Sequence, residues 1–92
     1  MIIKYFAYIR DYTGVKQTDW HAAVTDLEDL LQQLSKKHGR QFRDAVFDET
    51  QTGLNEEIII LVNGRHVQHL NGIHTELTPN DLIAIFPVVA GG

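Results

Sequence analysis

Thr25-Asp26-Leu27-Glu28-Asp29-Leu30-Leu31-Gln32-Gln33-Leu34-Ser35-Lys36-Lys37-His38-Gly39 is the stretch on which the fold turns. Leu27, Leu30, Leu31 and Leu34 recur at i, i+3, i+4 and i+7, an apolar stripe that has to face a core. Thr25 and Glu28 have capping-box spacing, in which the hydroxyl and the carboxylate each accept the other residue's amide. Asp26, Glu28 and Asp29 put negative charge where the helix dipole is positive, and Lys36, Lys37 and His38 reverse the sign at the other end. Gly39 suits a left-handed cap. A helix with one apolar stripe needs a second layer to cover it, and the flanking sequence supplies strands.

On the N-terminal side, residues 1–10 read as a strand, with Ile3, Tyr5, Ala7 and Ile9 on one face and Ile2, Lys4, Phe6, Tyr8 and Arg10 on the other. Asp11–Gly14 is a turn, and Lys16–His21 is a more polar partner strand. On the C-terminal side, Gln41–Phe47 reads as a short second helix with Phe42, Val46 and Phe47 inward, followed by a loop over Thr50–Asn55. Glu57–Val62 is rich in β-branched residues, as expected of a central strand covered on both faces. Asn63-Gly64 is a type I′ hairpin signal, because both positions need φ > 0. Arg65–Gln68 follows as a short strand, Leu70–Leu77 as irregular chain, Thr78–Asp81 as a turn and Leu82–Phe86 as a last strand. The order ββαβββ gives an α+β domain over residues 1–92, a mixed sheet with one main helix across one face.

Composition narrows the function. A chain of 92 residues holds one core, and 43% apolar with 22% charged residues is the balance of a globular domain. The absence of cysteine excludes a disulfide framework, a thiolate zinc site and a catalytic thiol on this chain. A net charge of −4 argues against a basic footprint for nucleic acid or anionic lipid. No apolar run approaches the ~18 residues of a membrane span, and the N-terminus has no signal-peptide pattern, so a cytoplasmic protein is expected. His66, His69 and His74 lack cysteine partners and zinc-site spacing, and residues three apart on a strand face opposite ways, so surface histidines are expected rather than a metal site. Asp44, Asp48 and Glu49 read as a solvated charged face. Ser35, the one serine, sits in the helix, and no glycine-rich phosphate loop is present, so no catalytic residue is assigned and the chain is not expected to be an enzyme by itself.

The remaining feature is the tail. Pro87 removes an amide donor and is expected to end the last ladder. Val88, Val89, Ala90, Gly91 and Gly92 then fall in side-chain size and carry no charged side chain. A segment of this kind gains little by packing, and only glycine lets the last backbone enter a narrow channel. A terminal carboxylate there is ionised and inert to nucleophiles until activated.

Lys4-Tyr5-Phe6-Ala7-Tyr8-Ile9-Arg10, Val62-Asn63-Gly64 and the ending Asp81-Leu82-Ile83-Ala84-Ile85-Phe86-Pro87-Val88-Val89-Ala90-Gly91-Gly92 resemble the ubiquitin-like sulfur carriers of the MoaD/ThiS family over essentially the whole chain. Val88 stands where the MoaD branch usually has a second proline. The resemblance implies a β-grasp fold. It implies adenylation at Gly92 by an E1-like enzyme that uses ATP and Mg, no cofactor bound to the carrier itself, and conversion of the acyl-adenylate to a thiocarboxylate. Val88, Val89, Ala90 and Gly91 would enter the partner's active site, and Phe6, Arg10, Phe86 and Pro87 would contact the partner. In the MoaD branch the carrier is the small subunit of molybdopterin synthase, which makes the large synthase subunit a second partner. The same activated tail could instead be joined to lysines of target proteins, or give sulfur for cysteine or thiamine synthesis. A non-covalent adaptor would use the sheet face alone. The alternation itself does not decide whether Phe6 lies in the core or outside it.

Overall fold

The computed structural model describes residues 1–88. Strand β1 is Ile2–Tyr5, helix α1 Tyr8–Thr13, β2 Gln17–Asp19, α2 Leu27–His38, α3 Arg40–Val46, β3 Ile58–Val62, β4 Arg65–His66 and β5 Leu82–Pro87. Two single 3₁₀ turns, Val67–His69 and Gly72–His74, lie in the connection before β5. The five strands form one mixed sheet in the order β2-β1-β5-β3-β4. β1 runs parallel to β5, and the other pairings are antiparallel.

The apolar stripe of α2 does what its spacing predicts. Leu27, Leu30, Leu31 and Leu34 are fully buried with Ile3, Tyr5, Ile60, Ile83 and Ile85 of the sheet. Each such leucine contributes about 1.5–3 kcal/mol relative to an exposed side chain. Phe42, Val46 and Phe47 close one end of this core, as expected of the second short helix.

The α2 cap differs from the expected one by a residue. Asp26, not Thr25, is the N-cap, and its carboxylate accepts the Asp29 amide at 2.9 Å. Asp29 in turn accepts the amide of Thr25 at 2.9 Å. An aspartate at the third helical position reaches back as the expected glutamate would, one position later. Gly39 leaves the helix at φ 101° and ψ −174°, outside the left-handed helical well but in a region that favours glycine, and α3 starts at once.

The first strand is half as long as its alternation suggests. It stops at Tyr5, and Tyr8–Thr13 is helical rather than strand and turn. Both readings bury Ile9, but the alternation also turns Ala7 inward, and Ala7 is exposed because the chain turns there. The central strand is β5, not the 57–62 segment. In β3 only Ile58, Ile60 and Val62 are buried, while Ile59 and Leu61 are half-exposed on the face that no helix covers. Asn63 and Gly64 have φ of 52° and 83°, as a type I′ turn requires.

Pro87 does not end the ladder. It pairs with Ile58, and the Val88 amide still donates to the Glu57 carbonyl at 2.8 Å. Backbone groups alternate sides along a strand, so the nitrogen of Pro87 faces the side where β1 has already left the sheet. A missing donor costs nothing there.

Candidate docking surface at the root of the tail

The sheet has one face under α2 and one open face. Register places Ile2, Lys4 and Phe6 of the β1 segment beside Leu82, Ala84 and Phe86 of β5, and Ile59 and Leu61 of β3 continue the same rows. Ile2, Phe6 and Leu82 are 37%, 39% and 41% exposed, which settles the side on which Phe6 lies. Exposed apolar side chains in adjoining rows are the mark of a docking surface rather than of scattered surface residues.

The end of this face nearest the tail is aromatic. The rings of Phe6 and Phe86 meet edge to face with centroids 6.0 Å apart. The Phe6 amide donates to the Ile85 carbonyl at 3.1 Å, which continues the parallel pairing one residue beyond β1. Val88, two residues past Phe86, is exposed, but its amide is tied to Glu57. Val89, Ala90, Gly91 and Gly92 lie outside the described residues.

Of the other expected contact residues, Pro87 is buried, so it acts through the direction of the chain rather than through an exposed ring. Arg10 lies on α1, not on the strand, and its Nε donates to the Tyr5 carbonyl at 3.3 Å. That bond ties the guanidinium back to the end of β1. Tyr8 was not among the expected contacts, because a strand reading gave it no distinct role. On α1 it is 40% exposed and its ring lies 5.7 Å from that of Tyr12. Desolvation, then the charge of Glu57, push its hydroxyl pKa up. Ile59, Leu61 and Leu82 were also missed, although alternation of the β3 and β5 segments against the apolar run was the signal for them.

An open depression of about 690 Å³ is lined by Asp44, Asp48, Glu49, Glu56 and Glu57 among others. Asp48 is spent on local structure: hydrogen bonds from the Thr50 side chain and from the Gly53 and Thr50 amides hold its carboxyl below the usual range. His66 and His69 do not point apart as a straight strand would have them. The chain turns at Val67, and their rings come within 5.9 Å. His66 Nδ1 accepts the Gln68 amide, which makes this imidazole a cap for the turn. Among the described residues, no group of three or more histidine, cysteine or acidic side chains could hold a metal ion, and no helix is long and apolar enough to cross a membrane.

Sequence comparison decides what kind of protein presents such a face and tail. The pattern of the ThiS family matches residues 3–92. The chain belongs to the ThiS family. It is 34% identical over 97 residues to small archaeal modifier protein 3 of Haloferax volcanii, covering 98% of this chain and 96% of that protein. The solution structure of small archaeal modifier protein 1 from Methanosarcina acetivorans superposes with a TM-score of 0.84 at 29% identity, over 99% of this chain and 94% of that one. A Pyrococcus furiosus protein described as molybdopterin converting factor, subunit 1, gives 0.74 at 32% identity, over 96% and 95%. The fold is the ubiquitin-like β-grasp, and the family is one of small ThiS/MoaD-like carriers and modifiers.

Proposed function

We propose that this ThiS-family protein carries sulfur as a thiocarboxylate at Gly92, after adenylation by an E1-like enzyme, and gives that sulfur to the molybdopterin precursor. A Gly92 carboxylate oxygen attacks the α-phosphorus of ATP and pyrophosphate leaves. Hydrosulfide then attacks the acyl carbon, the C–O bond to AMP breaks, and AMP departs to leave the thiocarboxylate. Adenylation is needed because a carboxylate is a poor electrophile. Magnesium and ATP belong to the activating enzyme.

The observation that carries the reading is the aromatic end of the open sheet face, Phe6 against Phe86, at the point where the chain runs out toward Gly-Gly. A partner seated on those rings holds the tail's origin at a fixed place, as reaction at a chain terminus demands. The large subunit of molybdopterin synthase would seat on the same face after the activating enzyme leaves. The likeness to the Pyrococcus protein supports molybdopterin as the destination.

A second reading is favoured by the full-length likeness to an archaeal modifier protein, namely that the activated tail is joined to lysines. Intact mass of the protein from its native host separates the two. One terminal oxygen replaced by sulfur supports the carrier, and a lysine conjugate supports the modifier. If pyrophosphate exchange with the host's E1-like enzyme is absent, both readings fall and a non-covalent adaptor takes their place.

A further inference from the structure

Ala7 occupies a backbone conformation that suits glycine. Its φ is 53° and its ψ −135°, values of the first central residue of a type II′ turn. The turn is closed, with the Ile9 amide donating to the Phe6 carbonyl at 3.2 Å. Glycine is the ordinary occupant of that position, because an L-residue's Cβ crowds the backbone there. Asn63, which also has positive φ at 52°, is different, since asparagine tolerates the type I′ site it fills.

Nothing in the core explains an alanine at position 7. Its methyl group is exposed and fills no space among the buried side chains. Its neighbours hold the turn in place from both sides. Tyr5 and Ile9 are fully buried, the Phe6 amide is tied to β5, the Arg10 amide donates to the Ala7 carbonyl at 3.0 Å and the Arg10 side chain returns to the Tyr5 carbonyl. Between these anchors the turn throws out two large aromatic side chains, Phe6 and Tyr8, 39% and 40% exposed. Strained residues held by their surroundings tend to sit where a fixed presentation matters.

Building on the carrier reading, we infer that Ala7 is a positioning residue for docking: its turn holds Phe6 and Tyr8 at the root of the tail, and the adenylating partner binds both rings. Phe6 is braced by Phe86 and Tyr8 by Tyr12, so each ring is pre-set on its own side. A pre-set surface spares the ordering cost that a mobile one incurs on binding. Glycine at position 7 removes the steric conflict but opens other conformations to the turn. A D-alanine removes the conflict and keeps the turn closed, because type II′ geometry is the one its mirror-image Cβ prefers.

The test is ATP–pyrophosphate exchange by the cognate E1-like enzyme, with carrier as the varied substrate, alongside thermal melts. The proteins are wild type, Ala7→Gly, a semisynthetic Ala7→D-alanine and Tyr8→Ala. Both position-7 variants should melt about 4 °C or more above wild type. Ala7→Gly should raise KM at least about threefold with kcat unchanged, D-alanine should leave KM at the wild-type value, and Tyr8→Ala should raise KM without lowering kcat. An unchanged KM in Ala7→Gly or in Tyr8→Ala overturns the inference. A D-alanine KM as high as the glycine one overturns it as well, and so does a melting temperature that does not rise. Absence of exchange with wild-type protein overturns the carrier reading and takes the inference with it. Exchange that is indifferent to position 7 sinks the inference alone.

Discussion

The Tyr5 hydroxyl lies 3.2 Å from Nε2 of His38, so β1 is joined to the last turn of α2 at the edge of the core. The same hydroxyl donates to Thr18 Oγ1 at 2.9 Å, which leaves His38 as the donor in its own contact with Tyr5. The two rings meet edge on at 5.5 Å, and Phe42 packs against both. Burial, and then the charge of Lys37, draw the His38 pKa below its ordinary value of 6.5.

A pH dependence follows from that shift. Above 6.5 His38 is neutral in both folded and unfolded chains and the stability is full. As pH falls through 6.5 the unfolded chain takes up a proton that the folded one resists, and stability is lost down to the lower folded pKa. The urea midpoint should therefore drop between about pH 7.5 and pH 5.5. In His38→Gln, which keeps a donor but does not titrate, the drop should shrink. An equal drop in both proteins would place the effect elsewhere.

The shifted cap gives a paired prediction. Asp26→Ala removes the N-cap acceptor of the Asp29 amide and should cost about 1 kcal/mol in urea unfolding. Thr25→Ala removes only a hydroxyl 3.4 Å from the Asp29 carboxylate and should cost less than about 0.5 kcal/mol. The reverse order would restore Thr25 as the cap.

The difference between those two residues shows what the sequence made legible. Leu27, Leu30, Leu31 and Leu34 identify the buried stripe because a helical period has one solution, whereas Thr25 and Asp26 are both good caps and adjoin each other. Asn63-Gly64 was readable because its backbone demand is met by few residue pairs. Ala7 was unreadable for the opposite reason. The residue gives no local sign of a type II′ turn, and only the burial of Tyr5 and Ile9 on either side enforces one. The same missed turn hid Tyr8 and put Arg10 on a strand. The exposed side of Phe6 could be settled only once the helices were seen to share one face of the sheet.

Phe86 separates docking from folding. It is half-buried, while Leu31 is fully buried, so truncation should affect the two differently. Leu31→Ala should cost about 2–5 kcal/mol of stability. Phe86→Ala should cost less than that, yet weaken binding to the activating enzyme by more than about 1 kcal/mol, because it removes both its own ring and the brace behind Phe6. Isothermal titration with denaturation of the same samples reads both quantities. A Phe86 variant that loses stability in full and affinity only in proportion would return this ring to the core.

The reach of the tail is counted from Val88, whose amide donates to the Glu57 carbonyl at the end of the described residues. Four residues lie beyond it, which at full extension span about 14 Å. Deleting Gly92, or appending one residue after it, moves the carboxylate by about 3.5 Å, far more than aligned reacting groups tolerate. Either change should abolish pyrophosphate exchange while the circular dichroism spectrum and the urea midpoint stay as in wild type, since among the described residues the buried apolar core ends at Ile85. Gly91→Val should impair exchange nearly as much, because a β-branched side chain widens and stiffens the chain where a channel must admit it. The anchor at Val88 also makes an insertion informative by its place. One glycine inserted between Val88 and Val89 lengthens the segment beyond Val88 and should act as the appended residue does. If the truncated protein is adenylated at its new terminus at the normal rate, the partner does not measure the tail from the sheet, and the fixed-origin account fails.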